Sequence, residues 1–159
     1  MVVLFLTATL VAQSLMGGLP IDGISCDRSE GAVEHIHSRL QIFDRGHGVE
    51  VPEQIGMPQT GQCLYWIHTH SGDGYIHIES PVKRPFTLGQ FFDIWGEDLG
   101  WTKAASVTAP HGKQLSIWVN GTAYHGKDPR SIVLSDRENI VIQNGPPFAK
   151  PLPSDWSKL

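Results

Sequence analysis

The chain has 159 residues and a mass of 17.5 kDa, enough for one domain with a hydrophobic core and too little for two typical domains. Hydrophobic residues make up 40% of the sequence and charged residues 18%, a composition that excludes an intrinsically disordered chain. A formal net charge of -4, without any cluster of Lys or Arg, argues against a nucleic-acid partner. The unusual residue is histidine: there are eight, against twelve Lys plus Arg.

The first 18 residues have the pattern of a targeting segment. The run from Val2 to Ala12 is apolar, and the first charged residue of the chain is Asp22. Neither a basic stretch before the run nor a small-residue cleavage site after it is visible, so residues 1–18 predict a partial signal or membrane-anchor segment. A buried first strand or helix is the alternative. A single β-rich domain is predicted over residues 19–148, followed by a loosely held Pro-rich tail over residues 149–159.

Alternating polar and apolar residues predict short strands separated by Gly-containing turns. The predicted strands are residues 33–43, 49–51, 63–70, 75–79, 115–119, 122–124 and 139–143. The turn 71–74 and the pair Asn120-Gly121 each join two of them as a hairpin. The sequence therefore predicts a mostly β, α+β fold, either a small barrel or a grasp-like sheet of antiparallel hairpins with one short helix.

The short helix is marked at both ends. Thr87 and Gln90 have the spacing of a capping box, and Phe86 and Phe91 stand at the positions of a hydrophobic staple. Gly96 ends the helical pattern. We therefore expect one helix between these residues, with its aromatic face packed in the core.

Cys26 and Cys63 are the two cysteines of the chain and are too far apart in sequence for a CxxC motif. In an oxidising compartment they would form a disulfide, which is the favoured interpretation. A role as metal ligand and two unpaired thiols are the alternatives, and Cys63 close to the histidines also permits a Cys/His nucleophile pair.

Three histidines of the second hairpin are expected to converge. A four-residue turn pairs His68 with His77 and Trp66 with Glu79. Because side chains alternate along a strand, His68, His70, His77 and Glu79 then share one face. Imidazole nitrogens on opposed strands can reach a common ion with bonds of about 2.0–2.1 Å.

His35 and His37 repeat the same spacing on the first predicted strand. If that strand lies beside or across from the hairpin, as many as five histidines surround one site. His47, His111 and His125 each lie close to a Gly in predicted turns, where a structural or solvated role is expected.

Nitrogen ligands favour a transition metal, Zn or Cu, whereas Ca or Mg would need a cage of carboxylates. Glu79 is then a ligand, a partner that fixes a histidine tautomer, or the base for a metal-bound water. Two alternatives stay open: a structural network of hydrogen bonds, and a metal-free catalytic or pH-responsive cluster.

Several segments resemble one family. They are Cys26, the HxH pair at residues 35–37, and the motifs CLYWIHTH (63–70), GYIHIESP (74–81) and TLGQFFDIWG (87–96). Residues 19–148 thereby resemble an uncharacterised bacterial family of exported or membrane-anchored small domains, which carries the patterns CLYWxHTH, GxIHIESP and TLGQFFDxWG. The resemblance implies an extracytoplasmic location and brings no activity with it.

The sequence predicts an extracytoplasmic domain that binds a transition metal. The expected ligands are His68, His70, His77, His35 and His37, with Glu79 in support. Two other functions stay open. One is a metal-dependent oxygenase or hydrolase with Glu79 as its base, and the other is a metal-free envelope module that binds a partner the sequence does not identify.

Overall fold

The computed structural model describes residues 18–59 and 61–159. The predicted targeting segment, residues 1–18, lies outside this part of the chain except for Gly18. Among the described residues, no helix is both long and apolar enough to cross a membrane.

Most regular structure in the described residues is β. The strands are β1 (Cys26–Asp27), β2 (Glu34–Asp44), β3 (His47–Val49), β4 (Leu64–Tyr65), β5 (Ile67–His68), β6 (Tyr75–Ser80), β7 (Lys103–Ala104), β8 (Val107–Thr108), β9 (Ser116–Val119), β10 (Thr122–Ala123) and β11 (Glu138–Asn144). One α-helix, α1 (Leu88–Trp95), and two short 3-10 helices (Pro129–Ser131 and Trp156–Lys158) complete the list. The predicted mostly β, α+β class with one short helix is confirmed.

Seven strands form the central sheet, in the order β10-β9-β11-β2-β6-β5, with β3 paired to the end of β2. The sheet is open in the described residues, so of the two predicted forms the barrel is wrong. It is also mixed: β2 and β11 run parallel, from Ser38 opposite Glu138 to Asp44 opposite Asn144, and the other pairs are antiparallel. A parallel neighbour requires a long crossover, which the chain supplies between residues 45 and 137.

The two faces of the sheet differ because side chains alternate along each strand. One face, the core face, presents Leu40, Ile78 and Ile140, each at most 1% exposed, to the hydrophobic core. The opposite face, the polar face, carries the histidines at one end. Helix α1 packs with the core through Phe91 and Phe92, both fully buried.

The ends of α1 are as predicted. Thr87 caps the helix and accepts a hydrogen bond from the backbone of Gln90, whose side chain accepts one from the Thr87 backbone in return. Gly96 ends the helix in the left-handed conformation, with φ of 80°. Phe86, at the predicted staple position, is 1% exposed.

Cys26 and Cys63 form a disulfide, so neither serves as a metal ligand or a nucleophile. The bond lies beside the short antiparallel pair β1–β4, in which Cys26 stands opposite Tyr65. This pair fixes the chain immediately before β5.

The sequence predicts a loosely held C-terminal tail (residues 149–159), and the structure differs. Gln41 exchanges two hydrogen bonds with the backbone of Leu152, at 3.0 and 2.8 Å. The hydroxyl of Tyr75 accepts one from the backbone amide of Asp155 at 2.6 Å. Polar side chains of the sheet thus provide the partners for an extended, Pro-rich backbone. The tail covers the half of the polar face that the histidines leave free.

Candidate metal centre

Strand register brings the histidines together. His68 on β5 stands opposite His77 on β6, as the predicted hairpin required. Strand β2 lies on the other side of β6, where His37 stands opposite His77 and His35 opposite Glu79. The three strands therefore place five of the six candidate residues, all but His70, at one end of the polar face.

Contacts between the rings run continuously across this end of the sheet. His35 and His37 have ring centroids 5.0 Å apart, and His37 and His77 4.6 Å apart. His70 contacts His77 at 4.5 Å, whereas His68 stacks on His77 at 5.6 Å. His70 follows β5 outside any strand, yet its ring joins the cluster.

The two closest ring nitrogens belong to His68 and His70. Their Nε2 atoms are 3.2 Å apart. Two nitrogens bound to one tetrahedral Zn ion at about 2.0–2.1 Å stand about 3.3–3.4 Å apart. The opposite nitrogen of His68, Nδ1, donates a hydrogen bond to the backbone carbonyl of Tyr65 at 2.9 Å. Since a carbonyl only accepts, this bond places the proton on Nδ1 and leaves the lone pair of Nε2 directed into the cluster.

Glu79 lies at the centre of the cluster. Its Oε1 is 3.3 Å from Nε2 of His35 and 3.6 Å from Nδ1 of His77, and its Oε2 is 3.9 Å from Nε2 of His68. The residue is 4% exposed, and Oε2 has no hydrogen-bond partner. A buried carboxylate oxygen without a partner carries a free-energy cost that a bound cation would remove.

Burial keeps the inner histidines neutral. Desolvation lowers the pKa of His68 to about 4 and that of His77 to about 3, and it also lowers the pKa of His37. For His77, neighbouring imidazoles add to the effect. Neutral imidazole is the form that binds a metal ion. Neutral rings are also poor ion-pair partners for Glu79, whose own pKa burial raises.

The geometry defines two groups able to hold a metal ion. His68, His70, His77 and Glu79 form the first, and His35, His37 and Glu79 the second; within each group the potential ligand atoms lie within 4.8 Å of one another. The disulfide is the one that the sequence predicts, and the five histidines and Glu79 lie together as it predicts. That these histidines and Glu79 bind a metal ion stays a prediction.

Glu30 is a member of the site that the sequence did not indicate. Burial raises the Glu79 pKa most, and the exposed Glu30 adds to this, because its carboxylate repels ionised Glu79 and accepts a hydrogen bond from protonated Glu79. Glu30 precedes β2 in a loop, where no periodicity marks it. The one sequence signal beside Glu30 is Gly31, because a glycine can mark a close approach of two backbones. Its amide donates to the Glu79 carbonyl at 3.3 Å, and a Cβ at this position would overlap the backbone of Ser80.

The remaining histidines lie away from the cluster. His47, His111 and His125 are exposed, as expected for turn positions, although His47 is the first residue of β3. They therefore serve as natural controls for the clustered residues.

No family model, curated protein or solved structure matches the chain. The resemblance to the bacterial family of small exported domains therefore stays a prediction, and the function has to be argued from the site itself.

Proposed function

We propose that this protein is an extracytoplasmic domain that binds a transition metal ion of the Zn or Cu type. The ligands are His68, His70 and His77, with Glu79 beside them. His35 and His37 extend the site on the neighbouring strand.

One observation carries the proposal: Nε2 of His68 and Nε2 of His70 face each other at 3.2 Å, next to the unpartnered Oε2 of Glu79. The separation fits two corners of a tetrahedral coordination sphere. The hydrogen bond from His68 Nδ1 to the Tyr65 carbonyl is the kind of contact that orients a metal-binding imidazole.

The donor chemistry selects the metal. Five imidazoles and few carboxylates suit Zn or Cu, whereas Ca and Mg prefer oxygen cages. The disulfide between Cys26 and Cys63 is compatible with an oxidising compartment and supports the proposed location outside the cytoplasm.

The test is equilibrium dialysis of the chelator-treated protein against Zn, Cu, Ca and Mg ions, followed by elemental analysis. We expect Zn or Cu to bind, and Ca and Mg to remain at background. His70→Ala should weaken binding by at least ~10-fold. Because His70 is exposed, this variant should fold, which circular dichroism can check. The matched control His111→Ala should bind like the parent protein. No first-row metal above background would overturn the proposal and favour a metal-free partner-binding module.

A metal-dependent enzyme is a second candidate, favoured by the exposure of the site. His70 is exposed and the side chain of His35 is 56% exposed, so an ion held by the buried nitrogens keeps a side open to water. An open coordination position is typical of catalytic Zn sites. Hydrolysis of activated esters by the Zn-loaded protein, abolished in Glu79→Gln, would support this candidate, and no rate above that of free Zn would reject it for this substrate class.

A further inference from the structure

Two sets of histidines approach Glu79 from different sides. One set, His68, His70 and His77, comes from the β5–β6 hairpin, and the other, His35 and His37, comes from β2. Each set forms a potential metal-binding group together with Glu79, which is the member that both groups share.

The two carboxylate oxygens of Glu79 face different histidines. Oε2 is 3.9 Å from Nε2 of His68, whereas Oε1 is 3.3 Å from Nε2 of His35. His77 lies between the sets: its Nδ1 is 3.6 Å from Oε1, and its ring contacts those of both His37 and His70. The carboxylate thus reaches both sets, with Oε1 toward His35 and His77 and Oε2 toward His68, which is the position of a bridging ligand.

The cluster holds more donors than one ion uses. A tetrahedral ion binds four ligands, and ligand atoms on opposite sides of any ion with about 2.1 Å bonds are at most about 4.2 Å apart. Here the six donors, five imidazoles and one carboxylate, fall into two groups that share Glu79, with ligand atoms within 4.8 Å of one another in each group. The rings of His35, His37, His77 and His70 follow one another with centroid separations of 5.0, 4.6 and 4.5 Å. One ion would leave part of this row without a role.

We propose that the site holds two transition metal ions bridged by the carboxylate of Glu79. This inference rests on the proposed metal-binding function and specifies its stoichiometry. The first ion lies among His68, His70 and His77, and the second beside His35 and His37. Paired ions about 3.5–4 Å apart are a common arrangement in hydrolytic sites.

The experiment counts the ions and measures the coupling between them. Chelator-treated full-length chain is titrated with Cu(II) and Zn(II), bound metal is quantified by elemental analysis, and the Cu(II) samples are examined by electron paramagnetic resonance. We expect two ions per chain. The second equivalent of Cu(II) should diminish the signal of isolated Cu(II) because the two ions are magnetically coupled.

Variants separate the two positions. His35→Ala combined with His37→Ala should lower the stoichiometry from two to one and retain the first ion, while His111→Ala should keep two. Glu79→Gln should abolish the coupling. His35 and His111 are exposed, His37 is half-buried and Glu79 is buried. The folding of every variant is therefore checked by circular dichroism.

Four outcomes would overturn the inference. A single ion that survives loss of His35 and His37, or a single ion that needs all five histidines, would contradict two positions and leave the proposed function intact. Two ions without magnetic coupling would contradict the bridge. No bound metal would overturn the proposed function together with this inference.

Discussion

The backbone carbonyl of Tyr65 accepts a hydrogen bond from Nδ1 of His68 at 2.9 Å, three residues along the chain. The disulfide and the β1–β4 pair hold Tyr65, because Cys26 stands opposite it. The disulfide, which lies outside the histidine cluster, thus helps to fix the position of one ring nitrogen inside it.

This bond predicts the tautomers of two histidines in the metal-free protein. His68 should carry its proton on Nδ1, and His70 should then donate from its Nε2 to the free Nε2 of His68, 3.2 Å away. Long-range ¹H–¹⁵N NMR at neutral pH distinguishes the tautomers, with the exposed His111 as an internal reference. On addition of Zn, the Nε2 proton of His70 should be displaced. An Nε2-protonated His68 in the metal-free protein would contradict the assignment.

The buried histidines make the metal-free fold sensitive to acid. For His68 the pKa falls from 6.5 to about 4 on folding, so between these values the unfolded chain binds more protons. The contribution of His68 to the free energy of unfolding is therefore complete above pH 6.5. It decreases by roughly 3 kcal/mol as the pH falls toward 4. Around the ring stand other titrating groups: His35, His37, His70, His77, Glu30 and Glu79.

A difference measurement isolates His68 from these neighbours. Burial raises the pKa values of Glu79 and Glu138, which opposes the histidine effect because protonation relieves their burial. The free energy of unfolding in urea should be compared between the parent and His68→Gln from pH 7 to pH 4. Gln has no titrating group. As the pH falls, the free energy of unfolding of the variant should therefore rise relative to that of the parent. A difference independent of pH would contradict a neutral, buried His68.

Local patterns predicted the register of the hairpin but not its extent, because the predicted strand 63–70 is divided into β4 and β5 and ends at His68. A four-residue turn and strict alternation were enough to place His68 opposite His77, and the cap residues Thr87 and Gly96 bounded the helix. What the sequence left open was the neighbour of β2. Its pairing with β6 depends on contacts about 40 residues apart, and its parallel pairing with β11 on contacts about 100 residues apart. No short-range periodicity encodes such choices, because they follow from packing of the whole core.

The attachment of the tail could not be predicted for a related reason. The Pro-rich composition of residues 149–159 predicts little regular structure, which is correct, but composition is silent on the polar partners that the sheet offers. Gln41 and Tyr75 appear in the sequence as ordinary outward residues of alternating strands. Only the assembled face shows that they bind backbone groups of the tail.

Gly74 should be required at the start of β6. Its φ is 81°, its carbonyl accepts from the Leu40 amide at 2.9 Å, and a Cβ there would overlap the Leu40 carbonyl oxygen. Gly121 has a similar φ of 78° but open space around it. Both Ala variants bear the cost of the left-handed conformation, roughly 1–2 kcal/mol, and only Gly74→Ala bears the overlap. Urea denaturation should show the larger loss for Gly74→Ala, and equal losses would contradict the close approach.

The disulfide should contribute stability and order at the metal centre. Its sequence separation of 37 residues corresponds to about 4 kcal/mol of reduced chain entropy in the unfolded state. The double variant Cys26→Ser, Cys63→Ser should lose about that free energy of unfolding and bind metal more weakly, because Tyr65 is less firmly held. Reducing agent should destabilise the parent and leave the double variant unchanged. A double variant with undiminished stability would show that β1–β4 pairing holds this region alone.

The attachment of the C-terminal tail depends on the amide of Gln41. Its Nε2 donates to the Leu152 carbonyl, and its Oε1 accepts from the Leu152 amide. Gln41→Glu keeps the acceptor but sets a second carboxylate oxygen against the Leu152 carbonyl, so it should loosen the tail and cost about 1–3 kcal/mol. Limited proteolysis should then cut the tail faster than in the parent. Metal binding should be unchanged, because Gln41 lies on the polar face beyond the histidine end. Unaltered proteolysis would mean that other contacts, such as the hydrogen bond between Tyr75 and Asp155, suffice to hold the tail.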